Sequence, residues 1–281
     1  MNDVAVIGAG IFGCTIARAL MAAGRTVEVF DDAQELAGSK ASGCLMKPSW
    51  FAGMGKDVHE PSLTLLDELF GVRTLEFAIH GVKILKAEVL WVPRWEVLSK
   101  EGLNVRKRKI SGIVRNAGGG GILYLDGDPE EHLGLEFKLI IVAAGYWTDK
   151  IMGIGKVSMV GKQGVSYLGR GAVPNVINPW APYKQIVSFN ETEDSFWIGD
   201  GTAILAQNWT AQRQAKSHDR AQKVAKRQPI TAILGIRPYV KGAKPCLLDE
   251  VHPGLWVATG GAKNGLVAAG WCASEIVAKS C

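Results

Sequence analysis

Hydrophobic and polar positions at the start of the chain follow the order strand, helix, strand. Residues 3 to 8 alternate as in a buried strand, residues 11 to 24 carry apolar side chains at helical spacing, and residues 26 to 30 form a second strand-like run. Three glycines lie in the turn between the first strand and the helix. This order predicts a βαβ unit with the glycines at the amino end of its helix.

The rest of the chain has mainly the pattern of strands. Strands are predicted at residues 74 to 92, 103 to 126, 137 to 145, 157 to 168, 184 to 190, 195 to 199 and at the start of 255 to 279. Residues 118 to 121 predict a hairpin turn, because strands and not a helix flank these four glycines. Residues 32 to 58 read as irregular.

Helical patterns after the first unit are few. Pro61 suits the first turn of a short helix at about 61 to 71. A polar helix is predicted at about 208 to 228, and a last helix follows the glycine loop inside 255 to 279.

Length and composition indicate a globular chain of two lobes. The 281 residues are 47% hydrophobic and 21% charged, and neither a membrane span nor a signal peptide is written in them, so a cytoplasmic location is expected. Five cysteines without a CxxC pair favour reduced thiols over a disulfide framework or a zinc site. The histidines show no ligand spacing, and no metal is expected.

The segment GAGIFG at residues 8 to 13 matches GxGxxG. Gly8 permits the tight turn, Gly10 lets backbone approach a pyrophosphate, and Gly13 lets helix and strand pack closely. Asp31 ends the second strand at the spacing where a carboxylate accepts hydrogen bonds from a ribose. This unit predicts a dinucleotide site and leaves NAD and FAD open.

Three distant segments resemble the D-amino-acid oxidase family, which includes glycine oxidase, sarcosine oxidase and the oxidase domain of a bacterial tRNA-modifying enzyme. They are LIIVAAGYWTDKI (139 to 151), ILGIRPYVKGAKP (233 to 245) and GLWVATGGAKNGLVAAGWCASEIV (254 to 277). The first resembles the family's strand to the flavin nucleotide, the second its Gly-x-Arg-Pro segment, and the third its last strand, glycine-rich loop and helix. The resemblance runs from residue 4 to residue 277 and implies FAD as the cofactor.

The family implies an α/β fold with a Rossmann-like FAD-binding lobe and a second, antiparallel β-rich substrate lobe. The FAD-binding lobe is expected at residues 1 to 60, 100 to 156 and 230 to 281. The substrate lobe is expected at residues 61 to 99 and 157 to 229.

The family also implies site residues at the matching positions. Arg237 is expected to hold the substrate carboxylate in a bidentate pair, and Lys263 is expected to help stabilise negative charge on the reduced flavin. The expected FAD-binding residues are Gly8, Gly10, Ile11, Phe12, Gly13, Asp31, Asp32, Ser39, Ser42, Gly43, Cys44, Leu45, Val114, Ala143, Ala144, Gly145, Trp147, Gly235, Arg237, Gly261, Ala262, Lys263, Asn264, Gly265 and Leu266.

Two features leave the substrate side open. Gly261 stands where the family often has a histidine, so the contacts of this loop with substrate are not fixed by the resemblance. Tyr167, Tyr183 and Tyr239 are candidates to donate a hydrogen bond to a substrate carboxylate, and the alternative for each is ordinary packing. In the family a neutral amine loses hydride to the flavin, which requires positioning and no strong base.

The positive charge of the chain is concentrated in the polar helix. Window 208 to 228 has six basic residues and one acidic residue, a net of +5 that equals the net charge of the whole chain. Five of the basic residues are spaced by 3, 4, 3 and 4 and line one helical face: Arg213, Lys216, Arg220, Lys223 and Arg227. A second basic run, RKRK, lies at 106 to 109. Such a stripe is typical of a polyanion site or of a solvated helix.

The sequence therefore predicts an FAD-dependent amine or amino-acid oxidase of glycine-oxidase type, with dioxygen as the electron acceptor. The substrate is a small carboxylate-bearing amine, and a glycyl-type substituent on a modified base of DNA or RNA fits the basic helix. Free glycine, sarcosine or D-amino acids are the alternative substrates. A nucleic-acid-binding flavoprotein without oxidase activity is a second alternative.

Overall fold

The structure is a computed structural model that describes residues 2–79, 85–93, 99–126, 134–151, 153–181, 184–201 and 203–280. Two β-sheets dominate this part of the chain, and helices cover them on their outer faces. A large cavity lies between the sheets.

The first sheet is mainly parallel and contains the βαβ unit. Its central order is β16, β17, β9, β1, β2, β6, and β8 joins β9 and pairs with β7. The strands are β1 (Asn2–Ile7), β2 (Val27–Asp31), β6 (Asn104–Lys107), β7 (Ile110–Arg115), β8 (Gly121–Leu125), β9 (Leu135–Val142), β16 (Leu247–His252) and β17 (Leu255–Thr259). β1 pairs in parallel with β2 and β9, so the carboxyl ends of these strands meet at one edge of the sheet.

The second sheet is mainly antiparallel. Its order is β14, β10, β13, β12, β11, β4, β5, β3, and β15 pairs with the other edge of β10. The strands are β3 (Leu45–Met46), β4 (Arg73–Ile79), β5 (Leu85–Trp91), β10 (Met159–Arg170), β11 (Val176–Ala181), β12 (Lys184–Thr192), β13 (Ser195–Gly199), β14 (Ile204–Leu205) and β15 (Ile230–Val240).

Five α-helices are described. They are α1 (Ile11–Ala22), α2 (Pro48–Phe51), α3 (Lys56–Phe70), α4 (Ala211–Val224) and α5 (Gly265–Ser280). α1 and α5 cover one face of the first sheet with a core that includes Ile16, Leu20 and Ile276. The β7–β8 hairpin covers the other face, where Phe30 and Phe137 pack edge to face. α4 packs on the second sheet through Ala221, and Ala225 just after the helix extends this contact.

The predicted fold class is confirmed, and so is the βαβ start. The register of β1 with β2 and β9 places the predicted glycine turn at the sheet edge. The hairpin turn predicted at 118 to 121 joins β7 to β8. In the segment predicted to be irregular, the structure contains short elements, including β3, α2 and a 3-10 turn at Gly38–Ala41.

Two predicted helices have different bounds. α3 begins at Lys56, so Pro61 lies in its second turn and not its first, and the helix tolerates the missing N–H there. α4 ends at Val224, because Lys226 and Arg227 take positive φ angles of 50° and 67° that a helix cannot continue.

Five strands were not predicted, of which β3 and β14 have only two residues each. β11 and β16 contain polar or proline residues that weaken the strand pattern, and β15 contains Gly235 and Pro238. β15 nevertheless pairs with β10 over 11 residues in the second sheet. All eight strands of the first sheet fall in the segments predicted for the FAD-binding lobe. Two strands of the second sheet, β3 and β15, fall in those segments as well. The lobe boundaries stay a prediction.

Among the described residues, no helix has both the length and the apolar character that crossing a bilayer requires.

The contact between α3 and α5 gives a test of the packing. A Cβ atom added at Gly270 would lie 2.3 Å from Ser62 Oγ and 2.9 Å from its carbonyl oxygen. The hydroxyl cannot turn away freely, because it donates a 2.6 Å hydrogen bond to the carbonyl oxygen of Val267. Gly270→Ala is expected to destabilise the protein by about 1–2 kcal/mol, since the overlap exceeds the gain in helix propensity of about 1 kcal/mol.

Urea unfolding measures this change. Gly53→Ala is the matched control, because no atom lies within 4 Å of a Cβ at Gly53. The control is expected to stay within about 0.5 kcal/mol of the parent. Equal stability of the two variants would contradict the close packing of α3 on α5.

Candidate active site

A cavity of about 1340 Å³ runs between the two sheets along the carboxyl ends of β1, β2 and β9. Most of the predicted site residues line it. They are Gly8, Gly10, Ile11, Phe12, Asp31, Asp32, Ser39, Ser42, Gly43, Cys44, Leu45, Ala143, Ala144, Gly145, Trp147, Arg237, Gly261, Ala262, Lys263, Asn264, Gly265 and Leu266. Segments far apart in the sequence therefore meet around one space that is large enough for a dinucleotide and a substrate.

The amino end of α1 opens on this cavity. A Cβ at Gly13 would lie 1.7 Å from the carbonyl oxygen of Gly8, and one at Gly8 would lie 2.5 Å from that of Ala143. Only backbone fits at these two points, and α1 is thereby held against the strand ends. Gly10 precedes the helix without a side-chain cap, so the first amides of α1 remain available to an anion such as a pyrophosphate.

Gly10 has a side chain and not backbone as its close neighbour. The nearest atom to a Cβ placed there is Ser39 Oγ at 3.3 Å, and both residues line the cavity. The glycine is thus a cradle that a side chain would fill, and a phosphate can approach the backbone. These residues fit the diphosphate of FAD.

Asp31 stands at the end of β2 beside the glycine turn. Its carboxylate accepts hydrogen bonds from the backbone N–H groups of Ala9 and Ala33. These bonds fix the carboxylate at the cavity wall, next to Asp32. The position suits the ribose of a dinucleotide.

We define the clasp as residues 36–44, which follow β2 and bind to the second sheet. The backbone N–H of Ile236 donates to the carbonyl oxygen of Leu36 at 2.9 Å, and Ser166 Oγ donates to that of Ala41 at 2.7 Å. Gly38 and Gly235 meet at this contact with no room for a Cβ. The clasp therefore ties the cofactor side of the cavity to β15, directly beside Arg237.

Arg237 projects from β15 at the cavity wall. Among the described residues, no carboxylate forms an ion pair with its guanidinium, and no hydrogen bond to it is present. Burial lowers the pKa of this group, and the fields of Tyr239 and Asp200 act in the opposite direction. A partly desolvated guanidinium without a bound carboxylate is a strong site for an anion.

The loop between β17 and α5 closes the cavity from the C-terminal side. Gly261 forms a bridge with Tyr239, and the Asn264 side chain donates a 2.9 Å hydrogen bond to the carbonyl oxygen of Trp50. The backbone at Ala262 has a positive φ of 50°, which bends the loop just before α5. The amino end of α5 and Lys263 thus face the cavity, where both favour negative charge.

Four predicted site residues do not line the cavity. Gly13 and Gly235 act through backbone packing, as described above. Tyr239 lies two residues after Arg237 on β15, and the Lys162 ammonium is 4.3 Å from its ring centre. Val114 is half exposed on β7, while Ser111, three residues earlier, lines the cavity.

The other two tyrosines considered as substrate contacts are Tyr167 and Tyr183. Tyr167 is fully buried beneath α4, and its hydroxyl donates to Ser217 Oγ at 2.8 Å. Burial raises the pKa of this tyrosine. It faces away from the cavity, because the neighbouring Ser166 faces the clasp on the other side of β10. Tyr183 lies outside the described residues.

Several lining residues were not predicted. Aromatic side chains contribute Trp50, Phe51, Tyr146 and Trp197 to the wall. Trp197 packs against Gly43 and Gly199, where a Cβ would approach its ring to 3.0 Å and 2.3 Å. Side chains alternate between the two faces of a strand, and the sequence did not indicate which face of β13 borders a ligand.

Positive charge exceeds negative charge around the cavity. Two lining carboxylates, those of Asp31 and Asp32, stand against seven described basic residues: Lys40, Lys100, Arg108, Lys109, Lys150, Arg237 and Lys263. Lys109 forms an ion pair with Asp126, which does not line the cavity. The RKRK run at 106 to 109 therefore reaches the cofactor end of the cavity through Arg108 and Lys109.

The basic stripe lies partly on α4. Arg213, Lys216 and Lys223 are exposed on the helix, and Arg227 is exposed beyond its end. Arg220 differs from the others, because it forms a 2.6 Å ion pair with the buried Asp200.

Comparisons with known proteins agree with this geometry. The sequence matches the family model DAO, FAD dependent oxidoreductase, over residues 3–92 and 94–279. A search of curated protein sequences found no significant match.

Solved structures share the fold at low identity. A glycine oxidase from Bacillus cereus ATCC 14579 is 16% identical with a TM-score of 0.71, covering 99% of this chain and 96% of that chain. An L-proline dehydrogenase from P. horikoshii is 14% identical with a TM-score of 0.71, covering 99% and 93%. An iminodiacetate oxidase from Chelativorans sp. BNC1 is 17% identical with a TM-score of 0.67, covering 96% and 93%. At such identities the likeness is one of fold.

The cradle at Gly10 is tested by Gly10→Val. The extended backbone there (φ −86°, ψ −170°) suits a β-branched residue, and the close neighbour of the new Cβ is the Ser39 hydroxyl, which can rotate away, so the apo protein is expected to keep its stability. The side chain fills the path of the phosphates, and the Kd for FAD is expected to rise at least about tenfold. Fluorescence titration of the apo protein with FAD measures this constant.

Gly53→Val is the control, because Gly53 lies away from the cavity wall with open space around it. An unchanged Kd for FAD in Gly10→Val would rule out the amino end of α1 as the phosphate site.

Proposed function

The chain belongs to the DAO family of FAD-dependent oxidoreductases, and from this premise we propose that it oxidises the C–N bond of a carboxylate-bearing amine, as a glycine oxidase does. FAD is its cofactor. The glycine oxidase and the iminodiacetate oxidase that share its fold are named for substrates of this class. Their names support the proposal and do not decide the substrate.

The observation that carries the proposal is the guanidinium of Arg237. It lines the same cavity as the cofactor residues and has no carboxylate partner among the described residues. A substrate carboxylate would supply that partner through a planar, bidentate pair. Such a pair fixes the substrate by one end and leaves the amine and α-carbon to lie along the cavity.

FAD supplies a two-electron acceptor for the hydride of the substrate α-carbon. The chain's own residues position the substrate and stabilise charge. Arg237 orients the substrate, and the backbone amides of the loop at 261–265 together with Lys263 stabilise negative charge where that loop lines the cavity. The N–H proton of the amine leaves to solvent, and the product is an imine.

Hydrolysis of the imine completes the proposed reaction. For a glycyl group, water adds to the C=N bond, glyoxylate leaves, and the carrier keeps an amino group. Dioxygen is the proposed acceptor of the two electrons, and hydrogen peroxide is the product of its reduction.

A glycyl-type substituent on nucleic acid is the form of substrate that α4 favours. Exposed Arg213, Lys216 and Lys223 form a cationic surface on this helix, and Arg220 connects the helix to the buried Asp200. Gly199 and Gly201 on either side of Asp200 line the cavity. A polyanion held on α4 would therefore bind on the outer face of the second sheet, and the Arg220–Asp200 pair would connect its site to the cavity-lining glycines. Free glycine, sarcosine or a D-amino acid remains the alternative, for which this surface has no use.

Arg237→Met tests the proposed substrate contact. Loss of the bidentate pair is expected to raise KM for the carboxylate-bearing amine by about 30-fold or more, with FAD retained. The measurement is hydrogen peroxide formation with free amino acids and, separately, with nucleic acid carrying glycyl-modified bases, followed by mass spectrometry of the products. Absence of turnover with every such amine would refute the oxidase proposal and leave the nucleic-acid-binding flavoprotein.

The polyanion surface is tested by Arg213→Glu with Lys216→Glu. Arg220 is left intact, because its reversal would set a second carboxylate beside the buried Asp200. Binding of DNA and RNA is expected to weaken at least about tenfold, and the logarithm of the parent's Kd is expected to rise linearly with that of salt concentration. Fluorescence anisotropy measures both.

The control is Lys56→Glu with Lys156→Glu, which changes the net charge equally at exposed sites off α4. Equal losses in the two double variants would mean that α4 is a solvated helix and not a docking surface.

A further inference from the structure

Lys162 of β10 lies directly opposite Arg237 of β15 in the second sheet. Opposed residues of an antiparallel pair extend from the same face of a sheet, with their Cβ atoms about 5 Å apart. Arg237 lines the cavity, so Lys162 extends from the cavity side of the sheet. Tyr167, five positions later on β10, contacts α4 on the other side. Lys162 and α4 are therefore on opposite faces.

This face of the sheet is open to solvent around Lys162. The side chain of Lys162 is itself half-buried. Val160, two residues earlier on β10, is 36% exposed, and Leu205, which pairs with Lys162 from β14, is 37% exposed. Lys162 does not line the cavity, but it borders Arg237, which does. A ligand bound at Arg237 can therefore extend along the sheet to the ammonium of Lys162.

Two positive charges thus lie side by side without a negative one. In the part of the chain that the structure describes, no carboxylate forms an ion pair with Lys162 or with Arg237. The Lys162 ammonium lies over the ring of Tyr239, which limits where it can move and supplies no net charge. Like charges directly opposite each other in a sheet are unfavourable, and a ligand with two negative groups removes this repulsion.

We propose that Lys162 binds a second anionic group of the substrate, so that the enzyme acts on an amine that carries two carboxylates. This inference rests on the proposed function and narrows its substrate class. Arg237 binds the carboxylate next to the amine, and the ammonium of Lys162 binds the other. A lysine suits the second position, because its flexible stem and three donors can follow carboxylates at somewhat different distances.

The second negative charge belongs to the substrate itself and not to a polyanion on α4. Phosphates bound at Arg213 and Lys216 would lie across the sheet from Lys162, since α4 covers the other face. They would leave the charge of Lys162 uncompensated. A second carboxylate on the small amine would lie on the correct face and at the correct range.

The experiment compares two carboxylates that contain no amine and so cannot undergo the proposed reaction. Diglycolate has two carboxylates around an ether oxygen, and methoxyacetate has one. Each is titrated into the FAD-loaded protein in potassium chloride at constant ionic strength, and the change in the flavin absorption spectrum gives the Kd. The parent is expected to bind diglycolate at least about tenfold more tightly than methoxyacetate, and Lys162→Met is expected to reduce this preference to about threefold or less.

Two control variants accompany this comparison. Lys156→Met removes the same charge from an exposed side chain before β10, and it is expected to keep the parent's preference for diglycolate. Lys162→Arg keeps the charge and is expected to keep most of the preference. Lys162→Gln takes the place of Lys162→Met if that variant does not fold. A parent without the preference, or a neutral variant that keeps it, overturns the inference.

Hydrogen peroxide formation separates this inference from the proposed function. Iminodiacetate and sarcosine are the amines that correspond to diglycolate and methoxyacetate, and kcat/KM is expected to be at least about tenfold higher for iminodiacetate. If sarcosine is oxidised but neither preference is found, the function stands and the role of Lys162 is wrong. If no carboxylate-bearing amine is oxidised while diglycolate binding depends on Lys162, the anion site stands and the oxidase function fails.

Binding of a single-stranded oligonucleotide tests the remaining source of negative charge. Lys162→Met is expected to bind it as the parent does, because Lys162 lies on the face opposite α4. Weakened oligonucleotide binding in this variant, together with equal Kd values for diglycolate and methoxyacetate in the parent, would assign Lys162 to a phosphate and overturn the inference.

Discussion

The backbone contact between Gly8 and Gly13 is the constraint on which the cofactor site depends. No side chain fits at either point, so the first turn of α1 is held against the ends of β1 and β9. The amides of that turn then face the cavity, and their partial positive charge adds to that of the lining lysines and arginines. Close packing and anion binding are thus two results of one arrangement. The diphosphate of FAD needs both.

Buried charged side chains define the part of the cavity that is proposed to bind substrate. Arg237 is placed on a strand of the second sheet, where burial makes an unpaired guanidinium costly and an anionic ligand correspondingly favourable. The buried Asp200 lies between the cavity-lining Gly199 and Gly201 and forms an ion pair with Arg220 of α4. A charged contact therefore connects α4 to a strand end that borders the cavity.

The sequence predicted the parts of this structure that local pattern controls. The βαβ unit followed from apolar spacing and glycine positions within the first 31 residues. β15 was missed because Gly235 and Pro238 are poor strand residues, and its pairing with β10 comes from a distant part of the chain. Most predicted site residues meet at the cavity, but Tyr167 faces α4. Both faces of β10 are buried, so alternation alone could not tell which face meets a ligand. Arg220 was placed in a surface stripe, since its partner Asp200 lies 20 residues away and is buried.

The clasp has a consequence for how molecules reach the flavin. Moving the clasp away from β15 would break the hydrogen bond from Ile236 to Leu36 and open the glycine contact between Gly38 and Gly235. A hinged opening at this point is therefore costly, and the spacing between the clasp and β15 stays fixed beside Arg237. That spacing limits the size of the group that can lie against Arg237. A small group at the tip of a long carrier can be inserted end-on while the carrier stays outside.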